Sequence, residues 1–260
     1  MMDVFQPLGS ARASCYRPAD RDTEGRPTAQ APQMAETAAR TRIVYPETDG
    51  QPLPDSSYQW DACAYAVEAV RWCFRDRPEV CVHGDLFVYV EEGNPDNRIA
   101  PDLFVALRSG FRHRDSYRVW EEAGGMPDFV LEVLSPSTWR ADVGAKRERY
   151  AALGVGEYWV HDPRGRFLRT GLAGHRLVDG VYEPLPSVES SRGLSIRSPV
   201  LGLELCVEGF DLRLVDPATS EYVPTHQEFG EAMENARARI AERDRRIAEL
   251  EEALRERRRD

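Results

Sequence analysis

Large apolar side chains recur at alternating steps of three and four residues between residues 57 and 75. This spacing is typical of an amphipathic helix that buries one face. The stripe consists of Trp60, Cys63, Val67, Val70 and Phe74. Because Pro78 follows the last of these residues, we expect the helix to end before it.

Segments rich in β-branched and aromatic residues follow this helix and predict strands. The segments span residues 80–92, 99–107, 128–134 and 156–162. Between the last two strands, residues 141–153 predict a helix, and Gly154 suits the left-handed position that ends it. A helical crossover favours a parallel pairing of the strands on either side. The order of elements therefore predicts an α/β fold with a mixed sheet.

Short apolar runs punctuated by glycine and proline occupy residues 164–215. Such runs are typical of antiparallel strands, and we expect them to extend the same sheet without any helix. Residues 1–38 are rich in alanine, proline, threonine and arginine, a composition that cannot bury enough apolar surface to fold, so they predict a disordered leader. The expected folded domain is therefore residues 39–216.

The last segment, residues 217–260, has a seven-residue repeat of apolar side chains. The first seam position holds Met233, Ile240, Ile247 and Leu254, and the second holds Ala236, Arg243, Leu250 and Arg257. This pattern predicts a C-terminal helix that forms a short coiled coil, with a homodimer as the first choice of partner. Because two arginines interrupt the second seam position, a solvated single helix fits the pattern equally well.

The composition and charge of the chain indicate where it is located and what it binds. No apolar run approaches the ~18 residues of a membrane span, and the chain does not begin like a signal peptide, so we expect a cytoplasmic protein with no membrane partner. The five cysteines form no CxxC pair, which favours reduced thiols. The net charge of −10 argues against a basic coat for nucleic acid but leaves room for a locally positive groove.

Two carboxylates on predicted neighbouring strands are the first candidates for chemistry. Asp102 opens the second strand, and Glu132 lies inside the apolar third strand. Paired strands would bring both within reach of one hard cation such as Mg²⁺, which would compensate the repulsion between two buried acids. The alternative is that Glu132 points to solvent from an edge strand.

Lys146 is the only lysine of the chain, among 34 lysine and arginine residues in total. It lies one helical turn after Asp142 and one turn before Tyr150, so the three side chains share a helix face. A compact ammonium there could orient or deprotonate a metal-bound water and offset the charge on a phosphate, roles that a wide guanidinium does not fill. The alternative is an ordinary surface salt bridge with Asp142.

These motifs together resemble a known family. Its pattern matches Pro101-Asp102, the run 132–138 (EVLSPST), the Asp142, Lys146 and Tyr150 spacing, and the run 154–163 (GVGEYWVHDP). The resemblance is to the Uma-two (Uma2) family of restriction endonuclease-like proteins, within the PD-(D/E)XK nuclease superfamily, and to its subgroup with a C-terminal coiled coil. It covers roughly residues 40–215 and implies a restriction endonuclease-like mixed sheet core with added antiparallel strands.

The resemblance also implies roles for individual residues. Asp102 and Glu132 would bind Mg²⁺ or Mn²⁺ with the carbonyl of Val133, and Lys146 would be the catalytic lysine of an enzyme that hydrolyses DNA. The superfamily places its lysine two residues after the glutamate, where this chain has Leu134, so catalysis requires Lys146 to replace it from the helix.

Three residues are weaker candidates for auxiliary roles. They are Glu68 on the first helix, Asp142 and Tyr150. A second hypothesis, a catalytically silent scaffold that assembles through the C-terminal helix, shares the same fold.

Overall fold

The predicted first helix is present as α1 (Ser57–Cys73), and the side chain of Ser56 accepts a hydrogen bond from the Gln59 amide at its N-terminus. Its buried residues are Gln59, Ala66, Ala69 and Val70, so two of the four are alanines. Trp60, which the apolar stripe placed in the core, is 56% exposed. The alanines let the helix approach the strands closely, and a large indole cannot enter that narrow space.

The protein is described by a computed structural model over residues 43–47, 56–190 and 193–259. These residues belong to one compact unit, Ile43–Asp260. The predicted leader at residues 1–38 lies outside the described residues. No helix in the described part of the chain is long and apolar enough to cross a membrane.

The strands of the described residues form three sheets. In chain order they are β1 (Cys81–His83), β2 (Val88–Tyr89), β3 (Arg98–Ile99), β4 (Leu103–Ala106), β5 (Tyr117–Arg118), β6 (Phe129–Val133), β7 (Glu157–His161), β8 (Leu172–Val178), β9 (Val181–Pro184), β10 (Ser187–Ser190), β11 (Gly193–Arg197), β12 (Glu204–Glu208), β13 (Asp211–Asp216) and β14 (Glu221–Tyr222).

The main sheet has six strands in the order β1-β4-β6-β7-β8-β9. β6 and β7 are parallel, as the helical crossover between them predicts, and the other neighbours are antiparallel. The predicted mixed sheet is therefore confirmed.

The predicted single strand at residues 80–92 is wrong in one respect. It divides into β1 and β2 around Asp85, which has a positive φ of 50° and so cannot continue a strand. β2 leaves the main sheet and pairs with β3 and β5 in a small sheet of its own.

The antiparallel strands expected after residue 164 are present, but only β8 and β9 extend the main sheet. The strands β10 to β14 form a second, five-stranded antiparallel sheet, which corrects the expectation of one continuous sheet. Pro184 ends β9 and Pro186 follows it, and neither can donate the backbone N–H that a further ladder needs. Among the described residues, no helix interrupts residues 164–215.

Helix α1 lies in the apolar core between the main and second sheets, where its alanines pack with leucines and valines of β12 and β13. The opposite face of the main sheet is covered by α2 (Trp139–Val143) and α3 (Ala145–Ala152). These two short helices replace the single helix predicted at residues 141–153, since the chain turns at Gly144. Gly154 has the predicted left-handed conformation, with φ +80°.

The last element is the helix α4 (His226–Arg257), which begins with a capping box formed by Thr225 and Glu228. Its first turn is fixed to the body of the protein. Arg213 binds Glu228 through two hydrogen bonds of 3.0 and 2.9 Å, and Phe229 contacts the ring of Trp72. None of its residues is buried.

Candidate functional site

The two predicted carboxylates meet where β4 begins and β6 ends. Leu103 faces Leu131 in this antiparallel pair, so one step further the register sets Asp102 opposite Glu132. The backbone N–H of Val133 donates to Oδ2 of Asp102 at 2.6 Å, which fixes the aspartate against the next strand. Side chains alternate between the two faces of a sheet, and this alternation directs both acids to the face that α2 and α3 cover.

Glu132 is only 2% exposed, yet both of its carboxylate oxygens have polar partners. The hydroxyl of Tyr150 donates to Oε1 at 2.6 Å, and Nζ of Lys146 donates to Oε2 at 3.0 Å. The strand therefore does not turn this glutamate to solvent, which excludes the alternative considered from the sequence.

Lys146 joins two buried acids, because its Nζ also lies 2.7 Å from Oδ1 of Asp142. Asp142 is held in turn by the hydroxyl of Thr138, which donates to Oδ2 at 2.6 Å. The hydroxyl of Tyr158 donates to the Asp142 carbonyl at 2.6 Å. The local salt bridge and the link to Glu132 thus exist together, so Lys146 is part of the site and not a surface pair.

The electrostatics of the acids follow from their burial. Burial, followed by the negative charge of Glu132, raises the pKa of Asp102 to about 8, against the opposing effects of the Val133 N–H and Lys146. Burial also raises the pKa of Glu132, and the ammonium of Lys146 opposes it. Burial alone would lower the pKa of Lys146, but Glu132 and Asp142 outweigh it and raise that pKa above its usual value. The lysine is therefore a firmly held cation.

Two residues of α1 that contact the site were not predicted from the sequence. The amide Nε2 of Gln59 donates to the carbonyl of Val133 at 3.3 Å. The thiol of Cys63 lies close to Asp102. Burial, followed by the charges of Asp102 and Glu132, raises the pKa of the Cys63 thiol, so it stays protonated. The available signal was that Gln59 and Cys63 are one helical turn apart and therefore share a face of α1.

Glu68 is not brought to this cluster. Its carboxylate lies on the exposed face of α1, where it pairs with Arg71 at 3.1 Å. Asp142 and Tyr150, the other two auxiliary candidates, do contact the site through Lys146 and Glu132. Their catalytic roles stay predictions.

The donor atoms of the cluster suit a divalent cation. Asp102, Glu132 and the Val133 carbonyl offer oxygen donors, which Mg²⁺ prefers. In the described residues, no three histidine, cysteine or acidic side chains form a metal-binding group, so water would have to complete the coordination. Two adjacent buried acids, one with its pKa raised to about 8, are the environment in which a cation would stabilise both charges. The residues therefore fit a site with two carboxylates and one carbonyl.

Comparisons with known proteins identify the family to which the chain belongs. No curated protein matches the chain. A solved structure from Anabaena variabilis, described as a "putative nuclease belonging to DUF820", is similar over 60% of this chain and 81% of that protein, with 15% identity and a TM-score of 0.42. A family model described as "Putative restriction endonuclease" matches residues 52–208. Since this match spans more than half of the chain, the protein belongs to the Uma2 family and has its restriction endonuclease-like fold.

Proposed function

We propose that the protein is a metal-dependent endonuclease that hydrolyses phosphodiester bonds of DNA. The family supports a nuclease. The observation that carries the finer proposal is the contact of Lys146 with buried Glu132 at 3.0 Å, beside Asp102. A scaffold protein has no physical need to bury two acids and hold an ammonium next to them.

Each residue of the site has a distinct part in this proposal. Asp102, Glu132 and the Val133 carbonyl would hold Mg²⁺ or Mn²⁺. The ion would lower the pKa of a coordinated water, so that the water can release a proton to solvent and attack phosphorus as hydroxide at neutral pH. The Tyr150 hydroxyl orients the Glu132 carboxylate. The Gln59 amide orients the Val133 carbonyl.

The pKa of Lys146 bears on which of the roles suggested by the sequence it can fill. Because its two acidic neighbours raise its pKa, the amine keeps its proton at neutral pH and is unsuited to deprotonate water. A fixed ammonium instead stabilises the negative charge that develops on the phosphate in the transition state. We assign Lys146 this electrostatic role.

The proposal is tested by incubating the purified full-length protein with supercoiled plasmid DNA, single-stranded DNA and RNA. We expect nicked and linear plasmid with Mg²⁺ or Mn²⁺ and intact plasmid with EDTA, as a metal-activated water requires. Cleavage that persists in EDTA would contradict the metal-dependent mechanism. Degradation of RNA alone would contradict DNA as the substrate. An intact substrate in every condition would favour the scaffold hypothesis.

We propose that two copies of the chain form a homodimer through α4. The helix is about 48 Å long at the usual rise per residue, and beyond its first turn it extends with its apolar seam exposed. The exposed seam residues are Met233, Ile240, Ile247, Leu250 and Leu254. Pairing two such helices would bury this stripe, and the scaffold hypothesis would use the same contact. The cytoplasmic location stays a prediction of the sequence.

Ile240→Asp is expected to convert the dimer into a monomer, because a charge in the middle of a coiled-coil seam is buried without a partner. Light scattering coupled to size-exclusion chromatography measures the mass. Ala238→Asp adds the same charge two residues away, outside the seam, and should leave the dimer intact. A wild-type protein that is monomeric at tens of micromolar would rule out this partner.

A further inference from the structure

The loop that follows β7 emerges next to the proposed catalytic carboxylates. Val133 faces His161 in the parallel pair, and the Leu134 N–H donates to the His161 carbonyl at 2.7 Å. The carboxyl ends of parallel strands lie at one edge of a sheet, so residues 163–170 begin beside the end of β6. This loop contains three arginines and no acidic residue.

Asp162 holds the loop in a defined shape. Its side chain is almost fully buried, and it accepts hydrogen bonds from the backbone N–H groups of Arg164, Phe167 and Leu168 at 3.1, 2.5 and 2.8 Å. With its backbone fixed from inside, the loop presents Arg164, Arg166 and Arg169 as exposed side chains. Little backbone freedom is therefore lost when these arginines bind a ligand.

Aromatic rings support two of the arginines at this edge. The guanidinium of Arg164 lies 4.7 Å from the ring centroid of Tyr58, the neighbour of Gln59 in α1. The guanidinium of Arg140 lies 4.6 Å from the ring of Trp139. A guanidinium held over an aromatic ring is restricted in its motion, while its N–H groups can still donate to a phosphate.

Trp139 is itself fixed to the loop, because its ring stacks on Phe167 with centroids 5.1 Å apart and planes 12° from parallel. The start of α2 and the loop after β7 thus form one continuous surface. We call this surface, made of Arg140, Arg164, Arg166 and Arg169 with their supporting rings, the arginine ridge.

The four arginines of the arginine ridge have no acidic partner among the described residues, since none of them has a carboxylate within 4.0 Å. By contrast, Arg71, Arg75 and Arg77 near the far end of α1 each pair with an acid. In a chain of net charge −10, the ridge is a local positive field beside the site.

We propose that the arginine ridge binds the phosphates of a nucleic acid strand next to the phosphate that is cleaved. The inference rests on the proposed function, since it assigns the surface that delivers the substrate to Asp102 and Glu132. Charge complementarity selects the polyanionic backbone, which DNA and RNA share, and the aromatic supports keep the guanidinium groups directed outward.

The test measures binding apart from cleavage, with fluorescence anisotropy of labelled 20-nucleotide probes in EDTA over a series of salt concentrations. The double variant Arg164→Ala/Arg166→Ala should bind single-stranded and duplex DNA roughly tenfold or more weakly. The slope of log K against log salt should shrink by about 1 for each phosphate that the variant no longer binds. An RNA probe of the same length shows whether the ridge distinguishes the two backbones.

The matched control is Arg176→Ala, which removes an exposed arginine from β8, opposite Glu157 at the other end of β7. It should bind like the wild type. Arg164→Lys keeps the charge but loses the planar group that stacks on Tyr58, so it should fall between the wild type and Arg164→Ala. Circular dichroism and thermal unfolding confirm that each variant is folded.

The outcomes separate this inference from the nuclease proposal. Equal binding by the double variant and the wild type, or an equal loss in Arg176→Ala, overturns the arginine ridge even when the wild type cleaves DNA. Binding that depends on the ridge without any metal-dependent cleavage supports the ridge and overturns the nuclease proposal. A wild type that binds no probe overturns the ridge, and the plasmid assay then decides the nuclease proposal alone.

Discussion

Replacing Lys146 with alanine is expected to lower the rate of DNA cleavage about 10³-fold, the usual effect of removing a group that stabilises charge in a transition state. Lys146 holds its ammonium 3.0 Å from Glu132 and 2.7 Å from Asp142, and its side chain is 34% exposed, so it can reach both the acids and a bound phosphate. The measurement is the single-turnover rate at saturating Mg²⁺.

A loss of folding has to be separated from a loss of chemistry in this experiment. Removing the ammonium leaves Glu132 and Asp142 buried without their cation, which destabilises the protein by roughly 1–3 kcal/mol after allowance for the partial exposure of the lysine. Lys146→Arg keeps a cation for both acids and should fold like the wild type, but its wide guanidinium should leave cleavage strongly impaired. Lys146→Ala cleaving within tenfold of the wild-type rate would remove the lysine from the mechanism.

Mg²⁺ should bind roughly fiftyfold more tightly at pH 8 than at pH 6, because that is the ratio of the ionised fractions of a carboxyl with a pKa of about 8. Burial and Glu132 raise the pKa of Asp102 to about 8, so below that pH the carboxyl carries a proton that the cation must displace. Each pH unit from 6 to 8 therefore strengthens binding by up to about tenfold, and the effect levels off above pH 8. Isothermal titration calorimetry in buffers of different ionisation enthalpy gives the affinity and the number of protons released.

The control for this pH dependence is Asp102→Asn, which has a similar shape and no proton to release. It should bind Mg²⁺ weakly and with a much flatter dependence on pH. Asp96→Asn, at a side chain that is 98% exposed, should behave like the wild type. A wild-type affinity that stays constant between pH 6 and 8 would show that no buried carboxyl exchanges its proton for the cation.

The central part of the fold could be predicted from the sequence because local patterns and pairing rules agree there. β6 and β7 are buried runs of apolar and aromatic residues joined by a helical crossover, and Gly154 closes the crossover with the expected φ of +80°. The strands around Asp85 could not be placed, since a single residue with φ 50° divides an otherwise continuous β pattern. Local propensity does not reveal that break.

The split into two sheets also depends on information beyond local pattern. Periodicity shows that residues 172–216 are strands, but the choice of neighbour is made by tertiary packing. Apolar side chains of β11 to β13 cover α1 instead of continuing the main sheet. Short antiparallel strands look alike in sequence whichever sheet they join, so one continuous sheet was the simpler expectation.

The site was predictable where its residues sit on well-defined strands and on one helix face. Asp102 and Glu132 meet through the register of β4 and β6. Lys146 and Tyr150, four residues apart on α3, both reach Glu132, and Asp142 contacts Lys146 from α2.

Gln59 contacts a carbonyl 74 positions away in the chain. That contact depends on the rotation of α1 about its axis. The buried alanines set this rotation, whereas the apolar stripe predicted a rotation that would bury Trp60.

The position of a bound cation tests the central claim most directly. A crystal of the full-length protein soaked with Mn²⁺ and measured at the manganese absorption edge locates the ion by its anomalous scattering. We predict one strong peak within about 2.5 Å of a carboxylate oxygen of Asp102, a carboxylate oxygen of Glu132 and the carbonyl oxygen of Val133, with Lys146 nearby. A fully occupied ion elsewhere, with these three oxygens uncoordinated, would contradict it.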